Sequence, residues 1–233
     1  VLSTLHSEGL DVSPIKVETD APTGLALAQR TGDERDHTVH YRRGSAGSRL
    51  SPADVPAEAV RSARLVHVTG VTLGISGSAW SAVHHAVALA REAGVTVSMD
   101  VGYRPALWPS REDAAEALTE LARKADVLFA NQEELGLIGA ALGTVPEVVV
   151  TRGAKGASAT VNGIRFDTPA APVVAVDPGG AGGSFVAGYL SALLEDLHPA
   201  DRLKRGSFLA GRTVASPSRW QALPTRDELP ARR

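Results

Sequence analysis

The chain has 233 residues, of which 43% are hydrophobic and 21% charged, and its formal net charge is −2 at neutral pH. This composition is ordinary for a folded globular chain, and the scattered Lys and Arg residues argue against a nucleic-acid partner. The absence of cysteine excludes disulfides and thiolate metal sites, and no apolar run reaches membrane-spanning length, so we expect a soluble chain of the reducing cytoplasm without a membrane partner.

The first part of the chain predicts a short helix followed by a β-hairpin. Residues Val1–Gly9 have the pattern of the end of a helix that closes on a glycine, and the chain does not begin with methionine. We therefore expect that the numbering begins inside a longer reading frame. Thr23–Leu27 is an apolar run, and Thr38–Arg42 alternates apolar and polar residues after a polar turn. These two runs predict antiparallel strands in a hairpin that covers about residues 20–45.

From residue 52 onward, helical and strand patterns alternate. The predicted helices are Pro52–Ser62, Ala79–Ala93, one that opens at Ser110 with Asp113 at capping-box spacing, and Gln132–Leu142. The predicted strands are Leu65–Thr69, Val95–Met99, Val127–Ala130, Glu147–Thr151, and the pair Ala157–Val161 and Ile164–Thr168 around the turn Asn162-Gly163. This alternation predicts a mostly parallel sheet with helices on both faces, and ligands at the carboxyl ends of its strands.

The stretch from Val173 to Leu194 is the most informative part of the sequence. It predicts a short strand at Val173–Val176, a glycine-dense turn at Pro178–Gly183 and a helix that starts near Ser184. Glycines let a ligand approach the backbone, and the unpaired amides and dipole of a helix N-terminus favour an anion. The turn therefore predicts a phosphate site, and the alternative is an ordinary glycine-rich connection between strand and helix.

This glycine turn resembles the C-terminal signature D-x-x-G-A-G-D of the ribokinase (PfkB-type) carbohydrate kinases, and it corresponds to Asp177–Gly183. The resemblance implies that Gly180, Ala181 and Gly182 form the anion hole for the transferred phosphoryl group. In the family the last Asp is the general base that takes the proton of the sugar hydroxyl, and here Gly183 stands at that position. We do not expect Asp177 or Ser184 to replace it, because Asp177 lies on the strand side of the turn and a serine hydroxyl has no suitable pKa.

Two further segments resemble the 2-keto-3-deoxygluconate kinases of this family. The segment that begins with Tyr41 and Arg42 is similar to Y-R-x-G-S-A, and the block with Tyr103 and Arg104 is similar to D-x-N-Y-R-x-x-L-W, with Gly102 in place of Asn. The resemblance implies that these two Tyr-Arg pairs bind the sugar acid, because a guanidinium donates two parallel hydrogen bonds to a carboxylate. The alternatives are a solvated arginine on the hairpin and, in the second block, a turn with Leu107 and Trp108 in the core.

Two segments resemble the parts of the family that bind nucleotide and magnesium. Asn131 and Glu134 fit the motif N-x-x-E, which orders the water shell of Mg²⁺, although an Asn followed by acids is also an ordinary helix cap. Thr151–Gly156 is similar to K-x-G-x-x-G near the nucleotide phosphates, and the alternative is a simple turn between strands. Ser207 departs from the family, because it falls where an Asn often lies near the adenine. The resemblance thus implies ATP and Mg²⁺ as cofactors, bound by Asn131, Thr151, Arg152, Gly153, Lys155, Gly156 and Ser207, with Glu134 acting on the metal through water.

Together the motifs imply a ribokinase-like three-layer α/β/α sandwich with a mostly parallel sheet and a small β lid. We expect residues 1–233 to form one such domain without the N-terminal strand and Gly-Gly segment of the family. The implied function is ATP-dependent phosphorylation of 2-keto-3-deoxygluconate, impaired by Gly183. The alternatives are an inactive remnant that binds nucleotide or sugar without turnover, and a kinase for ribose, fructose or a nucleoside. The implied partners are a sugar acid, ATP and a second copy of the chain paired through the lid.

Overall fold

The computed structural model describes residues 1–29 and 37–229. Its centre is a six-stranded sheet in which β3, β4, β5 and β6 run parallel in chain order, and β7 and β8 add two antiparallel strands at one side. A separate two-stranded antiparallel sheet is formed by β1 and β2. The strands are β1 Leu25–Gln29, β2 His37–Tyr41, β3 Leu65–Thr69, β4 Thr96–Asp100, β5 Val127–Asn131, β6 Glu147–Thr151, β7 Ala157–Val161 and β8 Ile164–Thr168.

The described residues contain eight α-helices, of which α1 precedes the first strand and the others connect or follow the strands. They are α1 Leu2–Ser7, α2 Ala57–Ser62, α3 Gly70–Ile75, α4 Gly77–Glu92, α5 Arg111–Ala122, α6 Gln132–Leu137, α7 Ala181–Leu194 and α8 Pro199–Val214. Short 3₁₀ turns lie at Ala46–Arg49, Pro52–Asp54, Pro105–Leu107, Gly139–Ala141, Gly153–Lys155, Arg219–Ala222 and Arg226–Glu228. Within the described part of the chain, none of these helices has the length and apolarity needed to cross a membrane.

The sheet separates two hydrophobic cores, which confirms the predicted three-layer arrangement. On one face, side chains of β4 and β5 such as Met99 and Leu128 pack with α4, α5 and α6. On the other face, Phe129 of β5 packs with α7 and α8, and its ring meets the edge of the Tyr189 ring at a centroid distance of 5.4 Å. Parallel strands require this double cover because their apolar side chains point to both faces.

Both predicted hairpins are confirmed. Asn162 and Gly163 have positive φ angles of 49° and 83°, as a type I′ turn requires, and β7 and β8 have the predicted bounds. In the first hairpin, Leu25 pairs with Tyr41 and Leu27 with Val39. The polar turn between these two strands includes residues 30–36, which lie outside the described residues.

Several predicted boundaries are wrong. The helix expected at Pro52–Ser62 is a 3₁₀ turn followed by α2, because Pro56 carries no amide hydrogen and stands at the N-cap of α2. The helix expected at Gln132–Leu142 ends at Leu137 and continues only as a 3₁₀ turn. Helix α7 begins at Ala181 rather than near Ser184 because Gly180, with φ of 86°, ends the preceding turn.

The strand predicted at Val173–Val176 does not form. The amides of Val176 and Asp177 both donate to the carbonyl of Val214, at 2.8 and 3.1 Å, so the segment is attached to the end of α8 rather than to a sheet. Val174 is 84% exposed. Apolar content therefore indicated a strand, but no strand in residues 1–29 and 37–229 pairs with this segment.

Candidate active site

The candidate active site lies where β4, β5 and β6 end and α7 begins. Because parallel strands present their carboxyl ends at the same edge of a sheet, the loops after Asp100, Asn131 and Thr151 are neighbours. The predicted sugar-acid, metal and nucleotide residues lie on these loops, on the glycine turn before α7, on the first hairpin and, for Ser207, on α8.

The glycine turn presents free backbone donors. Gly180 takes a left-handed conformation that favours glycine, and the first amides of the 14-residue helix α7 follow it. Ala181 donates its amide to the carbonyl of Pro178 at 3.3 Å, and Ser184 donates to that of Gly180 at 2.9 Å. The amides of Gly182 and Gly183 find no hydrogen-bond acceptor among residues 1–29 and 37–229. Two adjacent free amides at a helix N-terminus fit a phosphoryl oxygen.

Position 183 has room for the carboxylate that the family carries there. A Cβ atom added to Gly183 would meet no heavy atom within 4 Å. The nearby polar groups are committed elsewhere: Asp177 is buried and its Oδ1 accepts the amide of Gly179 at 2.7 Å, while Ser184 Oγ accepts from Thr213 Oγ1 at 2.7 Å. The predicted anion hole therefore has two amides that are unpaired within the described part of the chain, and glycine stands where the resembled motif has Asp.

A cavity of about 540 Å³ adjoins the anion hole. Its wall is mainly small and apolar, with Phe185, Ala210 and Val214 among its members. The predicted nucleotide and anion-hole residues that line it are Thr151, Gly153, Gly156, Ser207, Ala181 and Gly182. A neighbouring cleft of about 400 Å³ is lined by Asn131, Thr151, Arg152, Gly153 and Lys155, together with Gln132 and Glu133. The structure thus brings together every residue predicted to bind the nucleotide.

Three of these residues, Gly156, Arg152 and Ser207, also make contacts within the fold. Gly156 is required by the fold, because a Cβ atom there would lie 2.1 Å from the carbonyl oxygen of Thr168 and its φ is 84°. Arg152 donates to Ser158 Oγ at 2.6 Å and to Asp167 at 3.1 Å, so its guanidinium is partly used within the sheet. Lys155 is exposed at the end of its 3₁₀ turn. Ser207 Oγ donates to the carbonyl of Pro169 at 3.0 Å.

The two predicted carboxylate anchors approach a shared histidine. Arg42 Nη2 lies 3.1 Å from His40 Nδ1. Burial lowers the pKa of His40 below its ordinary value, and the charges of Arg42 and then Arg104 lower it further. Arg104 also donates to the carbonyl of Tyr103 at 2.8 Å. The hairpin and the loop after β4 therefore contribute positive charge to one region.

Tyr41 lies on the other face of the hairpin. Its side chain alternates with that of His40 along β2, and Tyr41 is 58% exposed. The structure consequently does not bring this ring to the Arg42–Arg104 region. Tyr103, by contrast, is half-buried in the loop that carries Arg104, and the guanidinium of Arg111 lies 5.9 Å from the centre of its ring.

Gly102 fits the position at which the resembled block has Asn. Its φ is 50°, in the left-handed region that glycine and asparagine tolerate best. A Cβ atom there would lie 3.3 Å from Val71 Cγ2, which is a tight contact with a side-chain methyl group. Glycine and asparagine therefore both suit this backbone conformation, and the loop can have the same backbone with either residue.

Two carboxylates, the buried Glu134 and the half-buried Asp100, lie between the predicted sugar-acid and nucleotide loops. Glu134 is 5% exposed, and Asn131 caps α6 by accepting the amides of Glu133 and Glu134. Burial, followed by the negative charge of Glu134, raises the pKa of Asp100 to about 6. Sequence reasoning did not single out Asp100 or His40. The available signals were the first letter of the D-x-N-Y-R block for Asp100, and the two-residue spacing from Arg42 for His40.

The donor set fits a hydrated magnesium ion. Among the residues that the structure describes, no three His, Cys, Asp or Glu side chains are close enough to form a full protein cage. Mg²⁺ keeps several waters and takes few protein carboxylates. A hydrated Mg²⁺ ion would offset the negative charge of Asp100 and Glu134.

Comparison with known proteins gives a consistent family. The model of the pfkB family carbohydrate kinases matches residues 1–226. The chain is 35% identical to a 2-dehydro-3-deoxygluconokinase of Thermoproteus tenax over an alignment of 243 positions. The alignment covers 97% of this chain and 72% of that protein.

Solved structures agree with this match. A PfkB protein from Polaromonas sp. JS666 is 32% identical with a TM-score of 0.84, over 97% of this chain and 76% of the other. A putative ribokinase II from E. coli in complex with ATP and Mg²⁺ has a TM-score of 0.86 at 23% identity, over 96% of this chain and 74% of the other. The predicted ribokinase-like fold is confirmed, and the chain belongs to the pfkB family of carbohydrate kinases.

Proposed function

We propose that this sugar kinase binds 2-keto-3-deoxygluconate (the same compound as 2-dehydro-3-deoxygluconate) together with ATP and Mg²⁺, and that Gly183 impairs its phosphoryl transfer. The observation that carries the proposal is that Arg42 Nη2 lies 3.1 Å from His40 Nδ1 and that the charge of Arg104 also lowers the pKa of this histidine. Two guanidinium groups from separate elements suit a carboxylate, which neutral sugars lack. The named activity of the Thermoproteus tenax relative supports the same substrate.

The nucleotide side of the proposal depends on the cavity beside α7. Phe185, Ala210 and Val214 offer an apolar wall for a base, and the free amides of Gly182 and Gly183 would hold the transferred phosphoryl group. ATP supplies that group, and a hydrated Mg²⁺ lowers the repulsion between its oxygens. Asn131 and Glu134 would act on the metal through its waters, while Lys155 and Arg152 would add positive charge near the phosphates.

The expected defect follows from the residue at position 183. A positioned general base typically contributes about 10²–10⁴-fold to the rate. Positioning and charge stabilisation account for much of phosphoryl transfer, and the groups that provide them are present. The chain is therefore expected to bind its ligands and to transfer phosphate slowly.

Ligand specificity tests the proposal. Calorimetric titrations of the wild-type chain would compare 2-keto-3-deoxygluconate with ribose, fructose and a nucleoside, each in the presence of ADP and Mg²⁺. We expect measurable binding of the sugar acid and about tenfold or weaker binding of the neutral sugars, because only the acid pairs with the arginines. Preferential binding of a neutral sugar or a nucleoside would overturn the substrate and favour the corresponding kinase.

An alternative function is a binding protein without turnover, which Gly183 favours. A coupled assay of ADP release, with the sugar acid, ATP and Mg²⁺, separates the two. A slow rate that depends on the sugar acid supports the impaired kinase. Binding of both ligands with a rate equal to that of the no-sugar control supports the binding protein.

We also propose that a second copy of the chain covers the outer face of the hairpin. Leu25, Leu27, Val39 and Tyr41 lie on this face, and each is between 39% and 58% exposed. Two identical apolar faces can bury each other about a two-fold axis. Sedimentation should give a dimer for the wild type and a monomer for Leu27→Glu. A wild-type monomer at high concentration would exclude this contact.

A further inference from the structure

The side chain of Glu134 bridges two loops of the site. Its Oε2 accepts the amide of Asn131 at 2.8 Å, which completes the capping box at the start of α6. Its Oε1 accepts the amide of Tyr103, also at 2.8 Å, from the loop after β4, 31 residues earlier in the chain. One buried carboxylate therefore binds the backbone of the proposed metal loop and the backbone of the proposed sugar-acid loop.

Besides this bond, the Tyr103 ring packs against the hydrophobic core, and its carbonyl accepts from Arg104 of the same loop. The loop turns at Gly102, which has a positive φ, and Arg104 is exposed beyond Tyr103. The guanidinium of Arg111, which lies near the Tyr103 ring, is 3.7 Å from Glu133, but that glutamate side chain is 70% exposed. Exposed ion pairs contribute little, whereas a buried hydrogen bond to a charged group contributes more. Glu134 is thus the stronger of these two polar connections between the loop and α6.

We propose that Glu134 is a positioning residue for sugar-acid binding, which it promotes by fixing the Tyr103–Arg104 loop through the Tyr103 amide. The role is separate from any action on magnesium, because it depends on a backbone contact that needs no metal. The inference rests on the proposed function only for the identity of the ligand. It predicts that Glu134 matters to the sugar acid even when nucleotide and metal are absent.

Glu134→Gln isolates this contact. Glutamine can still complete a capping box with Asn131, because the motif accepts Gln at this position. The glutamine NH₂ group would then face the amide of Tyr103, so the long-range bond is lost while the local one is kept. Glu133→Gln is the matched control, because it removes the same charge from the neighbouring residue, whose side chain is exposed.

The experiment has two readouts, both in buffer with EDTA and without nucleotide. Calorimetry should show that Glu134→Gln weakens binding of 2-keto-3-deoxygluconate about tenfold, while Glu133→Gln changes it less than about twofold. Hydrogen exchange should show about tenfold or faster exchange of the Tyr103 amide in Glu134→Gln alone. Unchanged binding and unchanged Tyr103 exchange would overturn the proposal and leave Glu134 with a metal or purely local role.

The two readouts keep this inference distinct from the proposed function. If the wild type does not bind the sugar acid, the proposed substrate fails, and exchange at the Tyr103 amide alone decides whether Glu134 positions the loop. If Glu134→Gln does not fold, Glu134→Asp replaces it, because the shorter side chain keeps the charge but cannot span both amides. The same weakened binding and faster exchange are then expected, and wild-type values for both would contradict the inference.

Discussion

In the proposed site, the sugar acid would meet side chains at one end, whereas the transferred phosphoryl group would meet backbone amides at the other. Arg42 and Arg104 depend on the hairpin and on a loop fixed by Glu134. Gly182 and Gly183 depend only on the turn and on the first turn of α7. A site made of amides keeps its anion-binding character when side chains change, but it cannot supply a base. Under the proposed function, this difference explains how ligand recognition would persist without the general base.

Removal of the two guanidinium groups should have the largest effect at the sugar-acid end. The double variant Arg42→Ala/Arg104→Ala is expected to weaken binding of 2-keto-3-deoxygluconate by about 10²-fold or more, because each charge-assisted hydrogen bond contributes about 1.5–3 kcal/mol. ADP affinity should stay unchanged. Arg43→Ala is the control, since Arg43 is an exposed neighbour on the same segment. If calorimetry gave the same sugar-acid affinity for the double variant and the wild type, the proposed carboxylate site would be wrong.

The negative charge of Asp100, which lies between the two ends of the site, is expected to lower the free energy of unfolding. The unfolded Asp100 loses its proton near its ordinary pKa of 3.8, and the folded one near 6. Between these values the native state holds the proton more tightly, so stability falls as pH rises through this window and the loss is complete above it. Asp100→Asn should therefore raise the free energy of unfolding at pH 8 by about 1–3 kcal/mol.

The advantage of Asp100→Asn should shrink as the pH falls through the same window, which urea unfolding at pH 8 and pH 5 would show. Asp20→Asn is the control, because Asp20 is an exposed aspartate. A stabilisation that is equal at both pH values would indicate that the effect is not due to the charge of Asp100.

Gly102 should give the smallest change. Gly102→Asn is expected to alter sugar-acid affinity by less than about twofold and stability by less than about 1 kcal/mol, because asparagine tolerates the left-handed backbone and the nearby Val71 methyl group can yield. Gly102→Val is the contrasting variant, since a β-branched residue is strained at this φ. If thermal melting showed the same stability for both variants, the backbone explanation of Gly102 would be wrong.

Local chemistry made much of the fold predictable. The turn at Asn162-Gly163 and the cap at Asn131 depend on residues adjacent in the chain, and both form as expected. The strand expected at Val173–Val176 depended on a partner that the sequence pattern cannot supply, and the segment bonds to the end of α8 instead.

The site shows the same division between local and long-range features. Family motifs predicted which loops meet, and the nucleotide residues do line adjoining cavities. The bond from Tyr103 to Glu134 joins residues 31 positions apart, so no local pattern could indicate it. The positions of Tyr41 and His40 on opposite faces of β2 follow from strand alternation, but only the structure shows which face approaches Arg104.

We propose that the groups that bind the transferred phosphoryl group are in place and that only the general base is missing. The most direct measurement is a coupled kinase assay of wild type, Gly183→Asp and Gly182→Asp, with 2-keto-3-deoxygluconate, ATP and Mg²⁺. Added Cβ atoms at both positions meet nothing within 4 Å, so the two variants place the same carboxylate one residue apart without a steric clash. We expect Gly183→Asp to raise kcat by about 10²-fold or more and Gly182→Asp not to raise it. Equal rates in all three folded proteins would contradict the proposal.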